Sequence, residues 1–238
     1  MGKLDGKVAL ITGSGRNIGR STALKLASEG ANIVVNARSN QEEADAVADE
    51  VRRLGVKALP VLADVAVKEQ VDSMVSMAIA EFGRVDILIN NAGLARHNLI
   101  PDIEEQDWDD QIAVNLKGTF LCTQAFFKQM CEQKYGHIVN VSSTAGKVGP
   151  PSFGAYSAAK FGVAGLTEVT YAEGRQHGVK AYVVCPGATD TKMRRDNHPD
   201  DVIKHLIQPE DVANLILFLV TQPRQAHIPE SIIRTSLM

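Results

Sequence analysis

The segment Tyr156-Ser157-Ala158-Ala159-Lys160 sets a phenol and an ammonium four residues apart. On a helix that spacing puts both on one face. A lysine cation close to a phenol favours the phenolate and lowers its pKa from about 10. The tyrosine then becomes a general acid or base usable near neutral pH. Taken alone, Tyr-x-x-x-Lys is common and carries no chemistry. Ser143 stands thirteen residues earlier, in Val139-Asn140-Val141-Ser142-Ser143-Thr144-Ala145-Gly146, at the end of an apolar run. A serine there can donate a hydrogen bond to an oxygen that gains charge as it reacts. Together the three describe proton transfer at a carbonyl or alcohol oxygen. No Gly-x-Ser-x-Gly elbow surrounds Ser143 and no histidine is placed to activate it, which sets a hydrolase aside.

A second group of residues suits phosphate. Thr12-Gly13-Ser14-Gly15-Arg16-Asn17-Ile18-Gly19 follows the first apolar run and opens a helical pattern. Glycines let a backbone approach a pyrophosphate, and a helix N-terminus adds N–H groups and a favourable dipole. The spacing is nearer Thr-Gly-x-x-x-Gly-x-Gly than the Gly-x-Gly-x-x-Gly of ordinary dinucleotide folds, with Asn17 where the middle glycine would stand. The next apolar run ends at Asn36-Ala37-Arg38, with no acidic residue to hold the ribose hydroxyls of NAD(H). Arg38, and Arg16 within the loop, offer cations for a 2′-phosphate, so NADP(H) is expected ahead of NAD(H). The plain alternative is two solvated arginines.

Three further positions are weaker. Asp64, in Ala63-Asp64-Val65, either accepts a hydrogen bond from an adenine amino group or caps the next helix. In Asn90-Asn91-Ala92-Gly93 the amides can fix neighbouring backbone, and the small residues leave room for a ribose. Asn115 lies in the helical stretch 108–126, where asparagine is a poor helix former. It holds a kink or a water, or it is an ordinary exposed residue.

The elements that must position these groups alternate. Short Val/Ile-rich runs at 8–12, 33–36, 58–62, 85–90, 137–142 and 180–185 read as strands covered on both faces. Helical patterns at 20–28, 42–54, 70–82 and 158–175 separate them. That alternation predicts βαβ units in an α/β, Rossmann-type doubly wound parallel sheet of about seven strands, with helices on both faces. Gln208-Pro209-Glu210 opens a last helix, and 231–234 completes the sheet as an edge strand. One domain over 1–238 is expected. The polar insertion at about 190–207 follows a strand end, where ligands bind in such sheets, and is placed to be a lid.

The bulk properties narrow the classes. Charged residues are 22% with net charge −3 and no long like-charge run, so nucleic acid is not an expected partner. No apolar run reaches spanning length or resembles a leader, so no membrane partner and a cytoplasmic location are expected. The three cysteines, Cys122, Cys131 and Cys185, are odd in number and lack metal-ligand spacing, which reads as free thiols and no metal.

Taken in order, Thr12-Gly13…Gly19, Asp64-Val65, Asn90-Asn91-Ala92-Gly93, Asn115, Ser143, Tyr156…Lys160 and Pro186-Gly187-Ala188-Thr189-Asp190-Thr191 resemble the short-chain dehydrogenase/reductase family. The 3-oxoacyl-[acyl-carrier-protein] reductase-like members look most similar. The resemblance runs from residue 7 to about 220. It implies hydride transfer between a nicotinamide cofactor and a ketone or secondary alcohol. Tyr156 would exchange the proton, Ser143 would orient the substrate oxygen, and Lys160 would hold the nicotinamide ribose. Asn115 would anchor a water that relays protons to Lys160. Gly13, Ser14, Arg16, Asn17, Ile18, Gly19, Arg38, Asp64, Val65, Asn91, Ala92 and Gly93 would line the cofactor. So would Pro186, Gly187, Thr189 and Thr191, the two threonines meeting its carboxamide. Leu94, Arg96, His97, Lys147, Val148, Met193 and Arg194 would face a small-molecule substrate, beside Ser143 and Tyr156.

The family's pairing of helices across a two-fold axis implies a homodimer or homotetramer. Stretches 108–126 and 158–175 also carry more apolar residues than one sheet face covers. Two departures stand out: Asn17, and the segment Gln225-Ala226-His227-Ile228-Pro229-Glu230 where relatives have a Gly-rich turn. A ketone reductase, with 3-oxoacyl thioesters the substrate that the resemblance implies, is the first reading. An alcohol or sugar dehydrogenase working oxidatively is the second, and a catalytically silent cofactor-binding regulator the third.

Overall fold

The computed structural model describes residues 2–236. Its strands are β1 (Val8–Ile11), β2 (Asn32–Ala37), β3 (Ala58–Leu62), β4 (Ile87–Asn90), β5 (Gly136–Val141), β6 (Val179–Pro186) and β7 (Glu230–Ile233). They form one sheet in the order β3-β2-β1-β4-β5-β6-β7, and every pairing is parallel. The doubly wound expectation holds. Only the strand ends move, by one or two residues, because apolar pattern does not mark where hydrogen bonding stops.

Alternation along each strand makes two cores. On one face Ala9, Ile11, Ile33, Val35, Ile87 and Ile89 pack with α1 (Asn17–Ser28), α2 (Gln41–Arg53) and the late helix Pro209–Val220. On the other, Val8, Leu10, Val34, Leu88 and Ile138 pack with α3 (Lys68–Phe82) and the helix Gly118–Glu132. Each fully buried aliphatic side chain of this kind contributes about 1.5–3 kcal/mol. The inner strands therefore read as nearly unbroken apolar runs, since both their faces are covered, while β3 and β7 at the edges are partly exposed.

Two polar links cross the middle of the sheet. Asn90 Nδ2 donates to Asn140 Oδ1 at 2.8 Å, and Asn140 Nδ2 donates to Thr167 Oγ1 at 2.9 Å. Both asparagines are buried; the first bond ties β4 to β5, and the second ties β5 to the helix Gly154–Gly174. Strand order reverses between β1 and β4, so the connections leaving their carboxyl ends run to opposite faces of the sheet. In open α/β sheets the crevice at such a reversal is where ligands bind.

The stretch around Asn115 differs from a plain helix. α4 (Glu105–Ile112) runs into a π-helical segment, Ala113–Lys117, and on into α5 (Gly118–Glu132). The insertion after β6 is also more ordered than a polar loop. It contains α7 (Lys192–Asn197), capped by the Thr191 hydroxyl accepting from Arg194 N–H at 3.1 Å. Its base is closed by Asp190 N–H to Ile207 C=O at 2.8 Å and Ile207 N–H to Ala188 C=O at 3.0 Å. Among the described residues no helix is long and apolar enough to cross a membrane.

Candidate functional site

A cleft of about 970 Å³ opens at the carboxyl ends of β1, β4 and β5. One side is the loop from Gly13 to Gly19. Gly13 has φ +62°, a conformation that favours glycine. A side chain on Gly19 would stand 2.4 Å from Gly13 O and 2.7 Å from Asn91 Nδ2, so the helix can lie this close to the loop only with glycine there. Arg16, at the N-cap of α1, is extended and makes no side-chain capping bond. The first N–H groups of α1 are left to a ligand, and the dipole favours an anion.

Asn17 takes φ +51°, the left-handed conformation that asparagine tolerates best after glycine. The loop therefore keeps its path without the usual glycine. The Asn17 amide oxygen accepts from Lys192 N–H at 3.3 Å, tying the loop to the start of α7.

The residues expected around a cofactor converge, though several do so by holding backbone. Asn91 Nδ2 donates to Thr12 O at 2.9 Å and Gly13 O at 3.1 Å. Thr12 Oγ1 accepts from Asn91 N–H and Ala92 N–H at 2.9 and 3.0 Å. Together they clamp the ends of β1 and β4. Ser14 is a correction: it is buried, donates to Ile11 O at 2.8 Å, and does not line the cleft. Asp64 lines the cleft while its carboxylate accepts from Ala66 N–H at 2.9 Å, as a local turn does. Val65, Ala92, Gly93, Pro186, Gly187, Thr189 and Thr191 all line it. The Thr189 hydroxyl donates to Gly187 O at 3.0 Å and the Thr191 hydroxyl caps α7, so both shape the loop they stand on.

Arg38 is exposed at the end of β2 and lines the cleft. Arg16 lines it too, but its guanidinium meets Glu43 at 3.3 Å. No acid adjoins Arg38 in sequence, and Glu43 in the first turn of α2 meets Arg16. Both partners of that pair are well exposed, and such pairs contribute only about 0–1 kcal/mol. An arriving phosphate, with charge-assisted bonds of about 1.5–3 kcal/mol, can draw Arg16 away.

The proton-transfer group sits deeper. α6 (Gly154–Gly174) carries Tyr156 and Lys160 on one face, as their spacing requires. Lys160 Nζ donates to Val141 O at 2.9 Å and lies 5.5 Å from the centre of the Tyr156 ring. Ser142 Oγ donates to Lys160 O at 2.9 Å, which fixes this turn of α6 against β5. Burial pushes the Tyr156 phenol up to about 12, against an opposing hydrogen bond with Ser143. Burial also brings the Lys160 ammonium down to about 8. This departs from the expectation that Lys160 lowers the tyrosine's pKa. Loss of water at the phenol outweighs a cation that stands 5.5 Å from the ring centre and gives one of its three donors to Val141 O.

Asn115 is fully buried, which overturns the exposed alternative. Its Nδ2 donates to Leu94 O at 2.7 Å and Gln111 O at 2.8 Å, while Oδ1 accepts from Leu94 N–H at 3.1 Å. At the π turn the amide bridges the helix, through Gln111 O, and the backbone of Leu94. With both N–H donors in use, one lone pair of Oδ1 is left for a relay water. A side chain on Gly93 would lie 3.0 Å from Asn115 Oδ1 and 3.7 Å from Lys160 Nζ, so glycine there keeps the cleft open beside both.

Of the residues expected to face a substrate, Leu94, His97, Val148, Met193 and Arg194 line the cleft with Ser143 and Tyr156. Arg96 and Lys147 do not. Arg96 pairs with Asp107 at 2.6 Å and Asp110 at 2.8 Å. Lys147 pairs with Glu230 at the start of β7, so the unusual tail takes up a cation assigned to substrate. Earlier in that tail, His227 stacks on Tyr171, ring centres 3.7 Å apart, and packs against β6.

Some site residues carry no local signal. Asn36 holds Gly13 N–H at 3.2 Å and Ala63 O at 3.0 Å, and only its polarity within an apolar run hints at this. Glu43, Phe153 and His198 reach the cleft from other elements.

The glycine cradle, the uncapped helix start and the room left at Gly93 fit a dinucleotide. Comparison with known proteins agrees. Residues 7–202 match the family model described as short chain dehydrogenase. A 3-oxoacyl-[acyl-carrier-protein] reductase of Synechocystis sp. is 40% identical over 233 residues, covering 96% of this chain and 94% of that protein. A (2S)-[(R)-hydroxy(phenyl)methyl]succinyl-CoA dehydrogenase subunit of Thauera aromatica is 41% identical, covering 91% of this chain and 90% of the other. A metagenomic short-chain oxidoreductase solved in complex with NADP superposes with TM-score 0.87 at 36% identity, covering 99% of this chain and all of that one. The cleft that the fold builds at its strand reversal is thus that of an NAD(P)-dependent oxidoreductase acting on CH–OH groups, and the chain belongs to the short-chain dehydrogenase/reductase family.

Proposed function

We propose that this protein is an NADP(H)-dependent reductase of a ketone, with Tyr156 as the general acid. The observation that carries it is the placement of the Tyr156 phenol in the cleft, beside Ser143 and on the same face of α6 as Lys160. A phenol that keeps its proton is suited to giving it to an oxygen that gains charge, the direction of reduction. A bound nicotinamide cofactor supplies the hydride. Ser143 donates a second hydrogen bond to the substrate oxygen. Lys160 anchors the nicotinamide ribose, and Asn115 holds the 93–95 backbone in place. Two relatives are named for acyl-thioester chemistry, which supports a 3-oxoacyl thioester as one such ketone. A panel of ketones, 3-oxoacyl thioesters included, run with NADPH and with NADH tests this. Turnover of ketones with NADPH is expected. No turnover on any of them with either cofactor overturns the reading.

The protein is further proposed to be a homodimer or homotetramer. Phe120 on α5, and Phe161 and Val169 on α6, are 42%, 47% and 54% exposed. Apolar surface left on two neighbouring helices is what an isologous interface covers. Light scattering at micromolar concentration should give at least twice the 25.7 kDa of the chain. A monomer there refutes it.

A further inference from the structure

The insertion after β6 carries α7, a helix of six residues with none of them buried. A helix that short is marginal on its own, so what holds it must come from its ends and its neighbours. Most of its bonds stay inside the insertion. Arg195 pairs with Asp190 at 2.7 and 2.8 Å, Arg194 with Asp201 at 2.5 Å, and Lys192 with Asp196 at 2.6 Å. The Asn197 amide donates to Met193 O at 2.8 Å. Just past α7, the His198 ring lies near those of Phe153 and His97.

At the other end, the first turn leaves backbone N–H groups without a partner in the helix. Thr191 Oγ1 accepts from the third of them, Arg194 N–H. The first, Lys192 N–H, donates to Asn17 Oδ1 at 3.3 Å, across 175 positions of sequence. Among the described residues this is the one hydrogen bond from 192–197 to any residue outside the insertion. Asn17 and Lys192 both line the cleft, so the bond joins its phosphate-loop rim to its lid rim. At φ +51° glycine would be the easier residue, and it would keep the path of the loop. Glycine, however, has no oxygen to offer α7. The Asn17 Nδ2 donates to no described residue, so the same amide keeps a donor for the anion that the start of α1 favours.

We propose that Asn17 is a positioning residue, whose amide latches α7 to the phosphate loop. The latch sets where Met193 and Arg194 stand in the cleft and how readily a nicotinamide dinucleotide leaves it. This goes beyond the ketone-reductase reading. It needs only a bound cofactor and holds in whichever direction the hydride moves.

The test is a double-substitution cycle with two readouts: hydrogen exchange of the lid without cofactor, and the NADPH dissociation rate. Asn17→Gly removes the oxygen and keeps the backbone conformation. Lys192→Pro removes the N–H from the other side. Proline suits that position, the first of a helix and preceded by an extended Thr191 at φ −134° and ψ 159°. The net worth of one hydrogen bond corresponds to about two- to tenfold. Each variant should speed exchange over 194–198 by about that factor and raise the NADPH dissociation rate. The double variant should speed exchange no further than either single one, because all three lose the same bond. Asn17→Asp keeps an acceptor and tolerates the same backbone. Its lid should exchange as in the wild type while its carboxylate weakens NADPH. General damage to the phosphate loop would instead loosen lid and cofactor together. Lys192→Ala keeps the N–H and loses only the exposed pair with Asp196, so it should not reproduce Lys192→Pro. Wild-type exchange in Lys192→Pro overturns the latch. So do effects that multiply in the double variant, or a Lys192→Ala that matches Lys192→Pro. None of these outcomes touches the ketone-reductase reading, since exchange is measured without turnover.

Discussion

Tyr156→Phe lowers turnover by about 10²–10⁴-fold on the best ketone, the usual worth of a general acid. The substitution keeps the ring and its packing against Phe153, and removes the one atom that gives up a proton. Little else changes, because the phenol is partly buried and its partner Ser143 retains Ala145 N–H at 3.1 Å. Cofactor affinity should move little. Lys160→Ala differs: it removes the buried ammonium that ties α6 to Val141 O, so both turnover and NADPH affinity should fall. Turnover and NADPH affinity of the two variants form a two-by-two test. Near wild-type turnover in Tyr156→Phe would show that some other group supplies the proton.

Arg38→Asp weakens NADPH binding by about ten- to a hundredfold and improves NADH. A charge-assisted bond to a 2′-phosphate is worth about 1.5–3 kcal/mol, and tenfold corresponds to about 1.4 kcal/mol. The replacement carboxylate repels the phosphate and can accept from free ribose hydroxyls. Glu43 tests the same site from the other side. It holds Arg16 now, so Glu43→Gln should free that guanidinium and tighten NADPH while NADH gains less. Calorimetric titration of both cofactors reads all three proteins. Tighter binding of NADH than NADPH by the wild type would refute the NADP(H) proposal.

Much of this protein could be read from residue order alone, for a physical reason. Strands buried on both faces must be apolar throughout, and the helices between them must show a repeat near 3.6, so the alternation itself specifies a parallel doubly wound sheet. Glycines at 13 and 19 and the Tyr156–Lys160 spacing are equally local, because one needs conformational room and the other a single helix face. Tertiary structure alone decided what depended on distant partners. Burial, not Lys160, sets the state of the Tyr156 phenol, and burial is a property of everything packed around it. Lys147 stands where a substrate contact is expected, but Glu230, far along the chain on β7, takes it. The sequence around Asn115 is helical in pattern, yet only the π turn and the approach of Leu94 give its amide a task. Glu43 reaches Arg16 from the next helix, and His198 reaches Phe153 from the insertion after β6. Spacing along a chain reports which side chains share an element; which elements meet is settled by packing.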